Sequence, residues 1–459
     1  MSLIKSISGI RGTIGGKPGD TLSPLDIVKF TAAYGTWIIS QKKGNKIVIG
    51  RDGRISGEMV KRIVISTLNA LGLDVVDLGL STTPTVEMAV KFEQAAGGII
   101  LTASHNPKEW NALKLLNHEG EFINAEEGAR VLLLAQNEDF SFATVDHLGS
   151  YSENNTALQQ HIEAVINYPL VDVNAIVKKD FNIVIDAINS TGAIAVPMLL
   201  KALGVNKITV LNEEINGQFA HNPEPLPQHL TQLVAEVKQK KADLGIAVDP
   251  DVDRLCFVNE DGSLFGEEYT LVAIADFILK QRPGNTVSNL SSTRALKDVT
   301  IQNGGEYFPS AVGEVNVVTK MKAVNAVIGG EGNGGIIVPD FHYGRDALIG
   351  IALYLTSLSK SDKTSKQLRS TFPDYVISKN KIELNPEVNV QSVFEKIKAK
   401  YKNQPINIED GLKIEFGNDW VHLRTSNTEP IIRIYAESNS ETTANNIAKK
   451  IMEDIKESI

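Results

Sequence analysis

A serine stands among hydrogen-bond donors in Thr102-Ala103-Ser104-His105-Asn106-Pro107, directly after the apolar run Gly98-Ile99-Ile100-Leu101. The run reads as a buried strand, and the polar hexamer as the loop that ends it. A hydroxyl flanked by His and Asn suits phosphate chemistry, because phosphate oxygens need donors and a placed oxygen acceptor. An ordinary Ser or Asx turn at a strand end is the competing reading. Asp249-Pro250-Asp251-Val252-Asp253-Arg254 follows a second apolar run, Leu244-Gly245-Ile246-Ala247-Val248. Read as an extended segment, its alternate residues put three carboxylates on one side. Anions so crowded need a cation, and hard carboxylate oxygens select Mg²⁺, Mn²⁺ or Ca²⁺. Arg254 adds a phosphate-directed fork beside them.

Two other chemistries fit part of that segment. A calcium-binding EF-hand loop would find Glu260 at its twelfth position, but it needs glycine where Arg254 stands, and the flanks read as strands. A phosphorylated aspartate, as in haloacid-dehalogenase-type phosphatases, also uses Asp-x-Asp after an apolar strand. Elsewhere, Gly329-Gly330-Glu331-Gly332-Asn333-Gly334-Gly335 follows the run Ala326-Val327-Ile328. It brings backbone close to a ligand, with Glu331 and Asn333 able to bond sugar hydroxyls. It lacks the Lys-Ser/Thr of a P-loop and the spacing of a dinucleotide site. Arg424-Thr425-Ser426-Asn427-Thr428-Glu429-Pro430, with Arg433 beyond it, groups hydroxyls, an amide and two guanidiniums that suit an anchored phosphate. Lys114, ten residues after Ser104, is a candidate general acid or base. Gly9-Ile10-Arg11-Gly12 and Gly50-Arg51-Asp52-Gly53-Arg54 place further arginines in glycine-rich turns.

The elements that must position these residues repeat. Ile47-Val48-Ile49, a helical stretch ending Leu71-Gly72, and Val75-Val76-Asp77-Leu78 form one strand–helix–strand unit. Ile183-Val184-Ile185, a stretch ending Leu203-Gly204, and Ile208-Thr209-Val210-Leu211 form a second. A fainter third runs from Thr286 through Gly304-Gly305 to Phe308. The glycine after each helix fits a left-handed cap, and the alternation predicts mixed α/β layers. The last part differs. Ile382–Leu384, Leu412–Phe416, Trp420–Arg424 and Ile432–Ala436 alternate like half-exposed strands before an amphipathic helix, Thr442 to Ile459. The predicted fold is therefore three similar mixed-sheet α/β domains plus a C-terminal α+β domain, with boundaries at 1–152, 153–257, 258–368 and 369–459.

With 459 residues the chain exceeds one core. A net charge of -9 argues against a general nucleic-acid binder, yet permits a locally positive pocket for a small anion. A single cysteine excludes an intrachain disulfide. No apolar run approaches the roughly 18 residues of a membrane span. The N-terminus lacks a signal-peptide core, so a cytoplasmic protein is expected.

Serine loop, triple-aspartate loop, glycine–glutamate loop and Arg-Thr-Ser-Asn-Thr-Glu-Pro loop, in this order at domain-scale intervals, resemble the α-D-phosphohexomutase superfamily over essentially the whole chain. The resemblance implies three related α/β domains and a fourth, phosphate-binding one. It implies that Ser104 carries a phosphoryl group, that Asp249, Asp251 and Asp253 bind one Mg²⁺ together with that group, and that Lys114 is the general acid or base. Arg254, His105 and Arg11 would lie near the phosphoryl group. Glu331 and Asn333 would read sugar hydroxyls, and Arg424, Ser426, Asn427, Thr428 and Arg433 would hold the substrate's other phosphate. A hexose bisphosphate would load the serine, and the assembly would be a monomer or homodimer. The metal loop has proline at its second position, where many relatives have glycine. The sugar loop reads Gly-Glu-Gly-Asn-Gly-Gly against the commoner Gly-Glu-x-Ser-Gly-His. Thr428-Glu429-Pro430 with Arg433 looks more like phosphoglucosamine mutases than like bifunctional phosphomannomutase/phosphoglucomutases. Glucosamine 6-phosphate to glucosamine 1-phosphate is thus the expected reaction. Phosphomanno/phosphoglucomutase is the alternative, and a Mg²⁺-dependent sugar phosphatase or a non-catalytic sugar-phosphate sensor are the remaining ones.

Overall fold

In the computed structural model, which describes residues 2–6, 9–385, 388–425 and 431–458, each repeat is built as strand, helix and strand. The helices Gly57–Ala70, Gly192–Ala202 and Ala295–Gln302 end just before Gly72, Gly204 and Gly304. Those glycines take φ of +82°, +82° and +76°, a region that other residues enter only with strain.

Contacts divide the chain into two units, Met1–Thr270 with Asn333–Arg369, and Leu271–Gly332 with Ser370–Ile459. The first unit holds two sheets. One has seven strands, in the order Ile4–Ser6, Gly9–Thr13, Trp110–Leu116, Gly97–Leu101, Lys46–Arg51, Asp74–Leu80 and Tyr151–Glu153. Its centre is parallel, whereas Trp110–Leu116 runs antiparallel to both neighbours, so the sheet is mixed. Ile47, Ile49, Ile99 and Leu101 pack on one face with Ile27 and Phe30, while Val48 and Ile100 pack on the other with Val86 and Val90. Cover on both faces explains why these strands read as unbroken apolar runs. Antiparallel pairing sets Lys114 opposite Ile100 and Arg11 opposite Ala112. The second sheet has the order Leu255–Asn259, Leu244–Val248, Asn182–Asp186, Lys207–Leu211. Ser104 and Asp249 thus each follow the C-terminal end of a buried strand, where open α/β sheets bind ligands.

The second unit holds the third repeat, with Asn285–Asn289 parallel to both Tyr307–Ser310 and Ala326–Glu331. It also holds a five-stranded antiparallel sheet, ordered Val376–Glu383, Ile431–Ser438, Asp419–Thr425, Leu412–Phe416, Ile406–Asn407. Helices Val390–Lys400 and Glu441–Ser458 contribute Val393, Phe394, Ile397, Ile451 and Ile455 to its core. The segment 258–368 supplies elements to both units. Among the described residues no helix is long and apolar enough to cross a membrane.

Candidate active site

Ser104 sits in a left-handed conformation, φ +48°, and is 7% exposed. Such backbone costs about 1–3 kcal/mol and persists only where its surroundings over-determine it. Here they do. Thr102 Oγ1 accepts the Ser104 N–H at 3.0 Å and donates to Asp52 Oδ2 at 2.7 Å. Arg54, whose side chain is fully buried, donates through Nε to the same Asp52 oxygen. Its terminal nitrogens donate to the carbonyls of Ser104, Asn106, Pro107 and Trp110. The glycine-rich turn 50–54 therefore supplies the clamp that shapes the serine loop.

The triple-aspartate segment is not extended, contrary to the sequence-based expectation. Val252 takes φ +61°, and its N–H donates to Asp249 O at 3.1 Å. Asp249 Oδ1 accepts the N–H groups of Asp253 and Arg254, each at 3.1 Å. Ser190 and Thr191 hold the turn by donating to the Pro250 carbonyl. A tight turn, rather than strand alternation, makes the carboxylates converge. All three are fully buried, with carboxylate oxygens within 4.8 Å of one another. Ser104 Oγ donates to Asp249 Oδ2 at 2.7 Å. Lys114 Nζ lies 2.8 Å from Asp251 Oδ2 and 3.5 Å from Asp253 Oδ2, and Thr83 Oγ1 donates to Asp251 at 2.6 Å. Arg345 reaches Asp253 Oδ2 at 2.6 Å.

Asp251 Oδ1 and Asp253 Oδ1 are buried without a hydrogen-bond donor. Burial, and then repulsion from Asp253 and Asp251, push the Asp249 carboxyl well above its ordinary range. Burial would also raise Asp251, but Lys114 outweighs it and holds that group low. Conversely, burial pushes Lys114 down while Asp251 and Asp253 more than restore its charge. Three convergent hard carboxylates with two unpartnered oxygens fit a divalent cation.

Further cationic side chains lie close to this group, with Arg254 Nε 3.9 Å from Asp249 Oδ2. Arg254 donates to His105 Nδ1 at 2.8 Å and to Glu224 at 2.9 Å. Burial, then Arg254, Arg11 and Arg345, drive the His105 pKa well below its ordinary value, so the imidazole is neutral. Burial and Arg254 likewise lower Arg11. The guanidiniums of Arg254, Arg11 and Arg345 around His105 make a positive field that suits an anion.

In the second unit, Glu331 Oε1 accepts from Asn289 Nδ2 at 2.9 Å and from Gly313 N–H at 3.0 Å. Asn333 belongs to the first unit, where its Oδ1 accepts Gly335 N–H at 3.2 Å. Arg424 and Arg433 face each other directly across an antiparallel pair. Like charges so placed repel, and an anion between them would relieve that. Ser426, Asn427 and Thr428 lie outside the described residues.

Four family models match in succession: phosphoglucomutase/phosphomannomutase alpha/beta/alpha domain I over residues 3–142, domain II over 159–262, domain III over 266–375, and the C-terminal domain over 381–454. The chain belongs to the phosphoglucomutase/phosphomannomutase family. It is 36% identical to a phosphoglucomutase/phosphomannomutase of Thermococcus kodakarensis, over 94% of this chain and 95% of that one. It is 32% identical to a probable phosphoglucosamine mutase of Methanopyrus kandleri, over 98% of both. A phosphoglucosamine/phosphogalactosamine mutase of Sulfurisphaera tokodaii is 31% identical over 99% of this chain and 100% of that one. Among solved structures, a family member from Burkholderia thailandensis superposes with a TM-score of 0.84 at 26% identity, covering 99% of this chain and 98% of that one.

The chain is a phosphohexomutase, an isomerase of hexose phosphates, and two residues of the serine–aspartate cluster escaped the sequence reading. Arg54 was visible only as one arginine in a glycine-rich turn. Arg345 carried no motif at all. Its one trace is Gly335, where a Cβ would lie 2.3 Å from Arg345 Cδ. The glycine at the place of the commoner histidine leaves the path by which Arg345 reaches Asp253. Asp346 fixes that path, capping the helix Ala347–Lys360 through Leu348 N–H and accepting from His161 and His342.

Proposed function

We propose that this mutase interconverts glucosamine 6-phosphate and glucosamine 1-phosphate through a phosphorylated Ser104 and a bound hexose bisphosphate. The observation that carries the reading is the Ser104 hydroxyl on Asp249, inside a buried aspartate triad with two undonated oxygens and faced by Arg254 and Arg345. Asp249, Asp251 and Asp253 would hold one Mg²⁺, which would neutralise charge on the transferred oxygens.

In the first half-reaction the Ser104 Oγ–phosphorus bond breaks and a phosphorus–oxygen bond to the sugar hydroxyl forms. The hydroxyl proton leaves, and Ser104 Oγ recovers one. Lys114, beside Asp251 and on the strand paired with that of the serine loop, is the group we assign to this proton exchange. Arg254, Arg345 and Arg11 meet the phosphoryl charge, and neutral His105 is available as a hydrogen-bonding group. The second half-reaction reverses these bonds with the sugar's other phosphate. For that the bisphosphate must turn over without escaping, and Arg424 and Arg433, with Ser426, Asn427 and Thr428, would hold its remote end. Glu331 and Asn333 would bond sugar hydroxyls. A hexose bisphosphate would load the serine initially, and a cytoplasmic location suits soluble sugar phosphates.

Phosphoglucosamine mutases among the relatives support the amino sugar. The Thermococcus relative favours a second reading, phosphomannomutase/phosphoglucomutase. One phosphoenzyme preparation assayed against glucosamine, glucose and mannose 1-phosphates separates them. The first reading expects the highest kcat/KM for glucosamine 1-phosphate; preference for glucose or mannose would move the assignment to the second. Net phosphate release without isomerisation would instead indicate a phosphatase.

A further inference from the structure

Arg424 and Glu331 are joined by a closed set of contacts that the reaction scheme does not use. Asp410, in the turn before strand Leu412–Phe416, places Oδ2 2.7 Å from Arg424 Nε, and the same oxygen accepts Val312 N–H at 2.9 Å. The next amide, Gly313 N–H, donates to Glu331 Oε1, which Asn289 also grips. Gly313 has φ +112°, a backbone that glycine enters without strain. The loop beginning at Asn289 then returns to Asp410. Lys413 donates to Leu290 O at 2.7 Å. Ser291 Oγ donates to His422 Nδ1 at 2.9 Å, and His422 Nε2 donates to the Asp410 carbonyl at 2.7 Å. That tautomer follows from the partners, because a carbonyl can only accept.

We propose that Asp410 is a positioning residue that aims Arg424 at the substrate's non-reacting phosphate and ties that aim to the orientation of Glu331. The proposal rests on reading Arg424 and Glu331 as substrate contacts. The ion pair anchors the guanidinium by charge at its Nε edge, where Nε makes no aligned hydrogen bond, and so limits where its two-pronged end can reach. It also offsets the repulsion between Arg424 and Arg433 across the sheet. Because Val312 and Gly313 are adjacent, moving Asp410 shifts the amide that holds Glu331. A sugar phosphate that must meet both groups is thereby measured end to end, and misalignment there weakens binding in ground and transition states alike.

Steady-state kinetics of wild type, Asp410→Asn, Arg424→Ala and the double variant test this, with glucosamine and glucose 1-phosphates as probes. Asn keeps an acceptor for Val312 N–H but removes the charge from Arg424. KM should rise about tenfold with kcat within about twofold, as expected when uniform binding is lost. The double variant should bind no worse than Arg424→Ala. Asp410→Glu, which keeps the charge but displaces it by one methylene, should raise KM by less than Asn does. If Arg424→Ala raises KM while Asp410→Asn leaves it unchanged, the coupling is wrong and the phosphate reading stands. If Arg424→Ala itself leaves KM unchanged, the phosphate reading fails. Effects that multiply in the double variant would show Asp410 acting by another route and overturn the proposal.

Discussion

At the residue scale, the side chains assigned to the chemistry were legible because each motif is contiguous in sequence, and those that hold them were not. Ser104, Asp249, Asp251 and Asp253 declare themselves by type and spacing. Arg54 and Arg345 act across about 50 and 92 positions of chain, on the serine loop and Asp253 respectively, and nothing local marks them. Gly335 supplies the clearest test. Gly335→Ala would put a methyl group 2.3 Å from Arg345 Cδ, and the flexible arginine would yield before the backbone. Its contact with Asp253 would be lost. We expect kcat/KM to fall by about tenfold, the equivalent of ~1.4 kcal/mol, with the melting temperature changed by less than about 2 °C. Unchanged kcat/KM would show that Arg345 contributes nothing to phosphoryl transfer.

At the element scale, the repeats were readable because each strand is covered on both faces and each helix stops at a glycine. The three stops nevertheless differ in what surrounds them. Gly304 has open space where a Cβ would go, whereas a Cβ at Gly204 would lie 2.3 Å from Val177 Cγ2. Gly304→Ala should therefore cost only the backbone strain, about 1 kcal/mol. Gly204→Ala should cost more, measured as the shift in denaturant midpoint. Equal losses would mean that the helix Val173–Lys179 gives way freely. Two elements departed from the sequence reading. The triple-aspartate segment alternates in composition like a strand but folds as a turn, because Asp249 captures two backbone amides. The helix Val390–Lys400 was not anticipated, although Val393, Phe394 and Ile397, which it buries, and the partly buried Val390 recur at helical spacing.

At the scale of the whole molecule, sequence order foretold the four-part architecture, while buried charge between distant elements was invisible. His422 illustrates this. Burial, with Lys413 and Arg424 adding repulsion and Asp410 opposing it, lowers its pKa to about 4. The unfolded chain titrates this group near 6.5, so between those values the unfolded state binds more protons. Stability from His422 is thus complete above about pH 6.5 and is lost as pH falls toward 4, by as much as about 3 kcal/mol. Calorimetry at pH 6.5 and 4.5 should show a smaller drop in melting temperature for His422→Gln than for wild type. An equal drop would assign the acid limb to other groups.

The most direct test of the central claim concerns what Ser104 carries. The protein is incubated with a hexose 1,6-bisphosphate and Mg²⁺, quenched in acid, digested and mapped by mass spectrometry. We predict one acid-stable phosphate on the peptide containing Ser104, removed when hexose monophosphate is added before the quench and absent from Ser104→Ala, which should also lack mutase turnover. A hydroxylamine-labile phosphate on Asp249 or Asp251, or near-normal turnover by Ser104→Ala, would contradict the account.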